Sequence, residues 1–117
     1  MLSPDLQRIE HIKDYCVEIE QTIVRYGNSI DVFSADLDYQ KSISFSLLQI
    51  GELSGSLSDT FKDKTVSRVP WKSIKGMRNL FAHDYGSMSR EIVWKTAAED
   101  IPVLLEFCNQ VLNENQI

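Results

Sequence analysis

Apolar residues recur at three- and four-residue steps along most of the chain, and that spacing predicts helices. Leu6, Ile9, Cys16, Ile19, Ile23 and Tyr26 form the first stripe, with one longer gap. Ser3-Pro4-Asp5 opens it with a capping hydroxyl, a proline suited to the first turn and an acid at the positive dipole end. Gly27-Asn28 is the stop signal. A second helix follows, with Asp31 and Ser34 as competing caps and Ile43, Leu47, Ile50, Ser54 and Leu57 on its buried side. Its many serines lower intrinsic helix propensity, so packing must hold it, and Gly51 and Gly55 would let a neighbouring helix approach closely.

The helical rhythm is lost from Ser58 to Val69, which reads as a loop. The weak alternation of Thr65-Val66-Ser67-Arg68-Val69 would leave a lone strand without a partner. Order resumes at Pro70-Trp71, and Ile74, Met77 and Phe81 mark a short third helix ending near Gly86. Ser87 or Ser89 caps a fourth, lined by Val93, Ala97, Ile101, Leu104, Leu105, Cys108, Val111 and Leu112. Pro102 interrupts that stripe and should kink or split the helix near Asp100. Trp71 and Trp94 are expected as core anchors for helices three and four. Four helices with short connections predict an all-α, antiparallel four-helix bundle, a single domain over residues 1–117.

Composition narrows the class. At 117 residues with 43% hydrophobic and 25% charged positions, the chain suits one folded domain and not a disordered tail. No apolar run reaches the roughly 18 residues of a membrane span, and no secretory signal is visible, which predicts a cytoplasmic protein. Cys16 and Cys108 sit among apolar residues without metal spacing and read as buried free thiols, so neither metal nor cofactor is expected. The net charge of −5 argues against broad non-specific nucleic-acid binding. The distribution qualifies that. Lys62, Lys64, Arg68, Lys72, Lys75 and Arg78 are half of the 12 basic residues and face only Asp63 in that stretch. They form either a solvated surface or a local phosphate-attracting patch.

That stretch leads into the segment with candidate chemistry. His11, beside Glu10 and Lys13, reads as a surface residue; His83 has different company. On a helix, Lys75, Asn79 and His83 share one face, while Arg78 and Tyr85 share an adjacent stripe. Arg78 and His83 differ in direction by about 140° on an ideal helix. They must flank a common cleft, or the helix must unwind near His83, or a second copy must complete the site. The last option motivates a homodimer. The residue types suit phosphodiester chemistry. Arginine offers a fork of donors to phosphate oxygens, and histidine exchanges protons near neutral pH. In metal-independent RNA cleavage a base deprotonates the ribose 2′-hydroxyl, and positive charge stabilises the phosphorane. Asn79 could orient His83 or the substrate, and Glu52 on helix two could pair with Arg78 or face solvent. Asp84 reads as a solvated neighbour.

The segment Val69-Pro70-Trp71 through Arg78-Asn79-Leu80-Phe81-Ala82-His83-Asp84-Tyr85-Gly86 closely resembles the signature of HepT-like proteins of the HEPN superfamily. Its core is Arg, four residues, His, one residue, Tyr, with Asn after Arg, and nothing in it departs from the pattern. Gly51-Glu52, Glu91-Ile92-Val93-Trp94 and Glu99-Asp100-Ile101-Pro102 extend the likeness over most of the chain after about Asp31; the first helix matches only in general character. The resemblance implies a helical bundle that dimerises around two motifs. It implies an RNA-cleaving toxin of a type VII-like toxin–antitoxin pair, with Arg78 and His83 as the metal-independent catalytic pair. It further implies an MntA-like minimal nucleotidyltransferase antitoxin that transfers AMP to Tyr85. The alternative is a non-catalytic helical partner that only accepts the modification.

Overall fold

The computed structural model describes residues 3–76 and 89–115, which are helical with short connections and contain no strand. Helix α1 spans Pro4–Tyr26; Ser3 Oγ accepts from the Leu6 N–H at 3.2 Å, and Pro4 and Asp5 occupy the first turn. Ile12 fills the gap in the sequence stripe, so Ile9, Ile12, Cys16 and Ile19 are all fully buried while Leu6, Ile23 and Tyr26 are only partly covered. Each buried isoleucine contributes about 1.5–3 kcal/mol relative to exposure. The chain turns at Gly27, whose φ of 127° suits glycine and strains any side chain. The Gly27 carbonyl also accepts from the Tyr39 hydroxyl at 3.0 Å, which ties this turn to the third helix.

The predicted second helix is two helices, and neither Asp31 nor Ser34 caps one. Ser29 caps α2, Ile30–Ala35, and Asp36 caps α3, Leu37–Gly55, by accepting from the Tyr39 N–H at 3.1 Å. Asp36 has extended backbone angles, and Gln40 Nε2 donates to the Phe33 and Ser34 carbonyls at 2.9 and 3.1 Å, satisfying the end of α2. The break turns Phe33 inward, 5.1 Å from the Tyr39 ring and 5.4 Å from Trp94. Along α3 the predicted stripe of Ile43, Leu47, Ile50 and Ser54 is buried, with Leu57 just beyond it. Gly51 is buried, but a Cβ at Gly55 would meet no atom within 4 Å, so close approach does not require glycine there.

The expected loop from Ser58 to Val69 contains α4, Asp59–Thr65. Ser58 Oγ accepts from the Phe61 N–H at 3.2 Å. Asp59 opens the helix, and Lys62 and Lys64 close it, which suits the dipole. A helix this short is marginal alone. It is held from a distance: the Ser58 N–H and hydroxyl donate to the Asp5 carboxylate at 2.8 and 2.6 Å.

Residues 71–76 form α5. The rest of the predicted third helix, with Met77, Phe81 and its end near Gly86, lies outside the described residues, as does Ser87. Ser89 caps α6, Arg90–Lys95, accepting from the Ile92 N–H at 3.4 Å. A π-helical segment, Thr96–Asp100, joins it to α7, Ile101–Glu114. The Ile101 N–H reaches back to the Thr96 carbonyl, one residue further than in an α-helix. This is the split expected of Pro102. Its ring has no N–H to give and would crowd the carbonyl four residues earlier, and a widened turn relieves both problems.

Helix α1 packs along α3 and α7, and the buried side chains form one continuous core. Cys16 and Cys108 are free thiols inside it. Burial raises both above the usual thiol range, Cys108 to about 12. His11 is exposed. No described helix is long and apolar enough to cross a membrane.

Candidate functional site

The approach to the motif is built from a tight corner. Arg68 and Val69 N–H groups both donate to the Thr65 carbonyl, at 2.9 and 3.1 Å, so the chain reverses directly after α4. Pro70 then starts α5: its carbonyl accepts from Ser73 and Ile74 at 3.0 and 3.2 Å, and its missing N–H is harmless at a helix start. Trp71 and Ile74, three residues apart, are buried and dock this helix. The Trp71 indole N–H donates to Thr65 Oγ1 at 2.8 Å, and its ring meets Phe61 at 6.3 Å and Phe107 at 5.7 Å. Trp71 is therefore the anchor its sequence context suggested, linking α4, α5 and α7. Trp94 is half-buried and packs on the Phe33 and Tyr39 rings of α2 and α3.

Of the six residues singled out in the sequence, the described structure contains two. Lys75 is exposed on α5, and Glu52 is exposed on α3. Arg78, Asn79, His83 and Tyr85, and Asp84 beside them, lie outside the described residues.

The basic stretch divides in two. Lys62 lies 3.8 Å from Asp59. Arg68 donates to Gln110 Oε1 at 3.1 Å, lies 3.6 Å from Glu114, and stacks 4.9 Å above the Phe107 ring. Arg68 is thus partly a packing residue, which its sequence position did not signal. Lys64, Lys72 and Lys75 are exposed.

A cleft of about 460 Å³ opens between α3, α5, the π-helical segment and α7. Ile50, Val69, Ile74, Ile101 and Leu104 give it aliphatic walls, with Arg68, Ser73 and Asp100 as polar groups. Neither Lys75 nor Glu52 lines it. Among the described residues no three His, Cys, Asp or Glu side chains gather as a metal site would need.

The family model described as ribonuclease HepT-like matches residues 6–111. The chain belongs to the HepT-like ribonuclease family. The match begins inside α1, well before Asp31, and it spans the Arg78-to-Tyr85 segment. A relative in Caldanaerobacter subterraneus subsp. tengcongensis is 32% identical over 108 residues, covering 92% of this chain and 94% of that protein. One from Methanocaldococcus jannaschii is 30% identical over 89 residues, covering 68% and 81%. Both are named provisionally as RNases. A provisionally named ribonuclease HepT of Thermococcus cleftensis is 29% identical over 101 residues, covering 79% and 87%. No solved structure matches significantly. HepT-like membership agrees with the all-helical architecture and places the chain in a family of ribonucleases.

Proposed function

We propose that the protein is a metal-independent RNA endonuclease acting as a homodimer, with Arg78 and His83 as its catalytic pair. The observation that carries this reading is the Arg-x4-His spacing at residues 78–83 inside the span matched by the ribonuclease family model. The neutral His83 imidazole takes the proton of the ribose 2′-hydroxyl. The 2′-oxygen forms a bond to the adjacent phosphorus, and the bond from phosphorus to the 5′-oxygen breaks. The leaving oxygen takes a proton from water or from the imidazolium of the second protomer. The products are a 2′,3′-cyclic phosphate and a 5′-hydroxyl. Arg78 stabilises the charge that builds on the non-bridging oxygens, which a planar two-pronged donor does well. Asn79 and Lys75 orient the strand, and Glu52 holds Arg78 in position.

In this reading the protein is the toxin of a toxin–antitoxin pair. A minimal nucleotidyltransferase neutralises it by joining the Tyr85 phenol oxygen to the α-phosphorus of ATP, with pyrophosphate leaving. The added AMP brings bulk and negative charge beside the phosphate site, so RNA is excluded by sterics and repulsion.

Purified protein should cleave RNA in the presence of EDTA. His83→Ala should reduce the rate by about 10²- to 10⁴-fold, as expected for loss of a general base, while leaving the helical circular dichroism spectrum intact. Undiminished cleavage by that variant removes His83 from the mechanism. The net charge of −5 favours a second reading, in which the chain is a non-catalytic helical partner of the nucleotidyltransferase. Incubation with that enzyme and ATP would then add AMP to a Tyr85 peptide even though wild-type protein cleaves no RNA.

A further inference from the structure

The corner between α4 and α5 gathers Lys62, Lys64, Arg68, Lys72 and Lys75 against Asp59 and Asp63, in a chain that is acidic as a whole. The bonds around Thr65 and Trp71 pack the two helices together, so these charges stand on adjoining elements. Lys62 and Arg68 are engaged internally. Lys64, Lys72 and Lys75 are exposed and make no ion pair with a described residue. Lys72 and Lys75 stand three apart on α5, and no acid lies three or four residues from any of these three lysines. Most exposed helix faces interleave the two signs; like charges at this spacing repel. Among the described residues no ion pair offsets that repulsion.

We propose that Lys64, Lys72 and Lys75 form a docking surface for the phosphate backbone of single-stranded RNA, on the stretch of chain that leads into Arg78. The choice of RNA rests on the ribonuclease reading above. An acidic protein is the poorer occupant. Protein interfaces centre on buried apolar and aromatic side chains, and none of the three lysines lines the neighbouring aliphatic cleft; Val66 is the large exposed aliphatic residue between them. Flexible lysines on a corner suit a strand that can bend around it, and they read charge without reading sequence.

The test is fluorescence anisotropy with a labelled 2′-O-methyl oligoribonucleotide, which lacks the attacking hydroxyl and so cannot be cleaved. For single strands, each neutralised phosphate contributes about 0.7 to the slope of log K against log salt. Lys64→Gln with Lys72→Gln should therefore flatten that slope by about 1.4 and weaken binding roughly 10- to 30-fold at 0.1 M salt. Lys41→Gln with Lys95→Gln, which removes equal charge elsewhere, should change affinity less than about threefold, a difference small beside the salt effect of two phosphate contacts. An unchanged slope, or equal loss in the control, overturns the proposal. So does unchanged RNA affinity accompanied by a shift in oligomeric state, which would make the corner a protein interface. Patch-dependent binding by a wild-type protein that cleaves no RNA would support the docking surface and refute the enzymatic reading alone.

Discussion

Replacing Thr65 by valine tests whether the Trp71 bond holds the α4–α5 corner. Thr65 Oγ1 accepts from the Trp71 indole at 2.8 Å and donates to the Phe61 carbonyl at 2.8 Å. Both side chains are buried, at 7% and 4% exposure, so water cannot easily replace either partner. Valine keeps the shape but strands the indole N–H. An orphaned buried donor costs about 1–3 kcal/mol. Trp71→Phe should cost about 1.5–3 kcal/mol through lost volume and the lost bond. In the double variant no indole N–H remains to be stranded. Its cost should therefore fall below the sum of the two singles by about 1–2 kcal/mol. With a urea slope of about 1–3 kcal/mol/M, a loss of 2 kcal/mol moves the midpoint by about 1 M, which is easily resolved. Protein concentration should be held fixed across the series, because self-association would shift apparent stability. Additive costs, or a Thr65→Val variant within about 0.5 kcal/mol of wild type, would refute the claim that this bond anchors the corner.

Asp5→Ala removes the acceptor for both Ser58 donors and should cost about 1–2 kcal/mol, detected as a lower urea midpoint; no change would mean that α4 holds without α1. Cys16 and Cys108 have raised thiol pKa values through burial, so their stabilising effect is complete below about pH 9 and is lost as pH rises toward about 12. Stability against pH above 9 should therefore fall more steeply for wild type than for a Cys16→Ala/Cys108→Ala variant, by up to about 2.7 kcal/mol per pH unit, and equal slopes would contradict the assignment. Arg78→Lys preserves charge but not the planar fork, so RNA cleavage should drop at least about tenfold while the fold is retained; wild-type rates would reduce the arginine to a simple charge.

Local patterning determined a good deal on its own. The α1 cap at Ser3, its stop at Gly27, the buried thiols and the split before Pro102 all follow from steric and hydrogen-bonding rules that act within a few residues. The family motif is likewise a matter of residue type and spacing. Tertiary contacts decided the rest. Helix α4 lies in a stretch without helical rhythm, and contacts distant in sequence hold it: Asp5, 53 residues away, accepts from Ser58, and Trp71 packs on Phe61 and Thr65. The break at Asp36 is favoured because it delivers Phe33 to the Tyr39 and Trp94 rings. Arg68 looked like one more surface cation until Phe107, Gln110 and Glu114 were placed beside it. Periodicity reports what a residue can do with its near neighbours; partners brought together by folding lie beyond its reach, and they determine which cations remain available to a ligand.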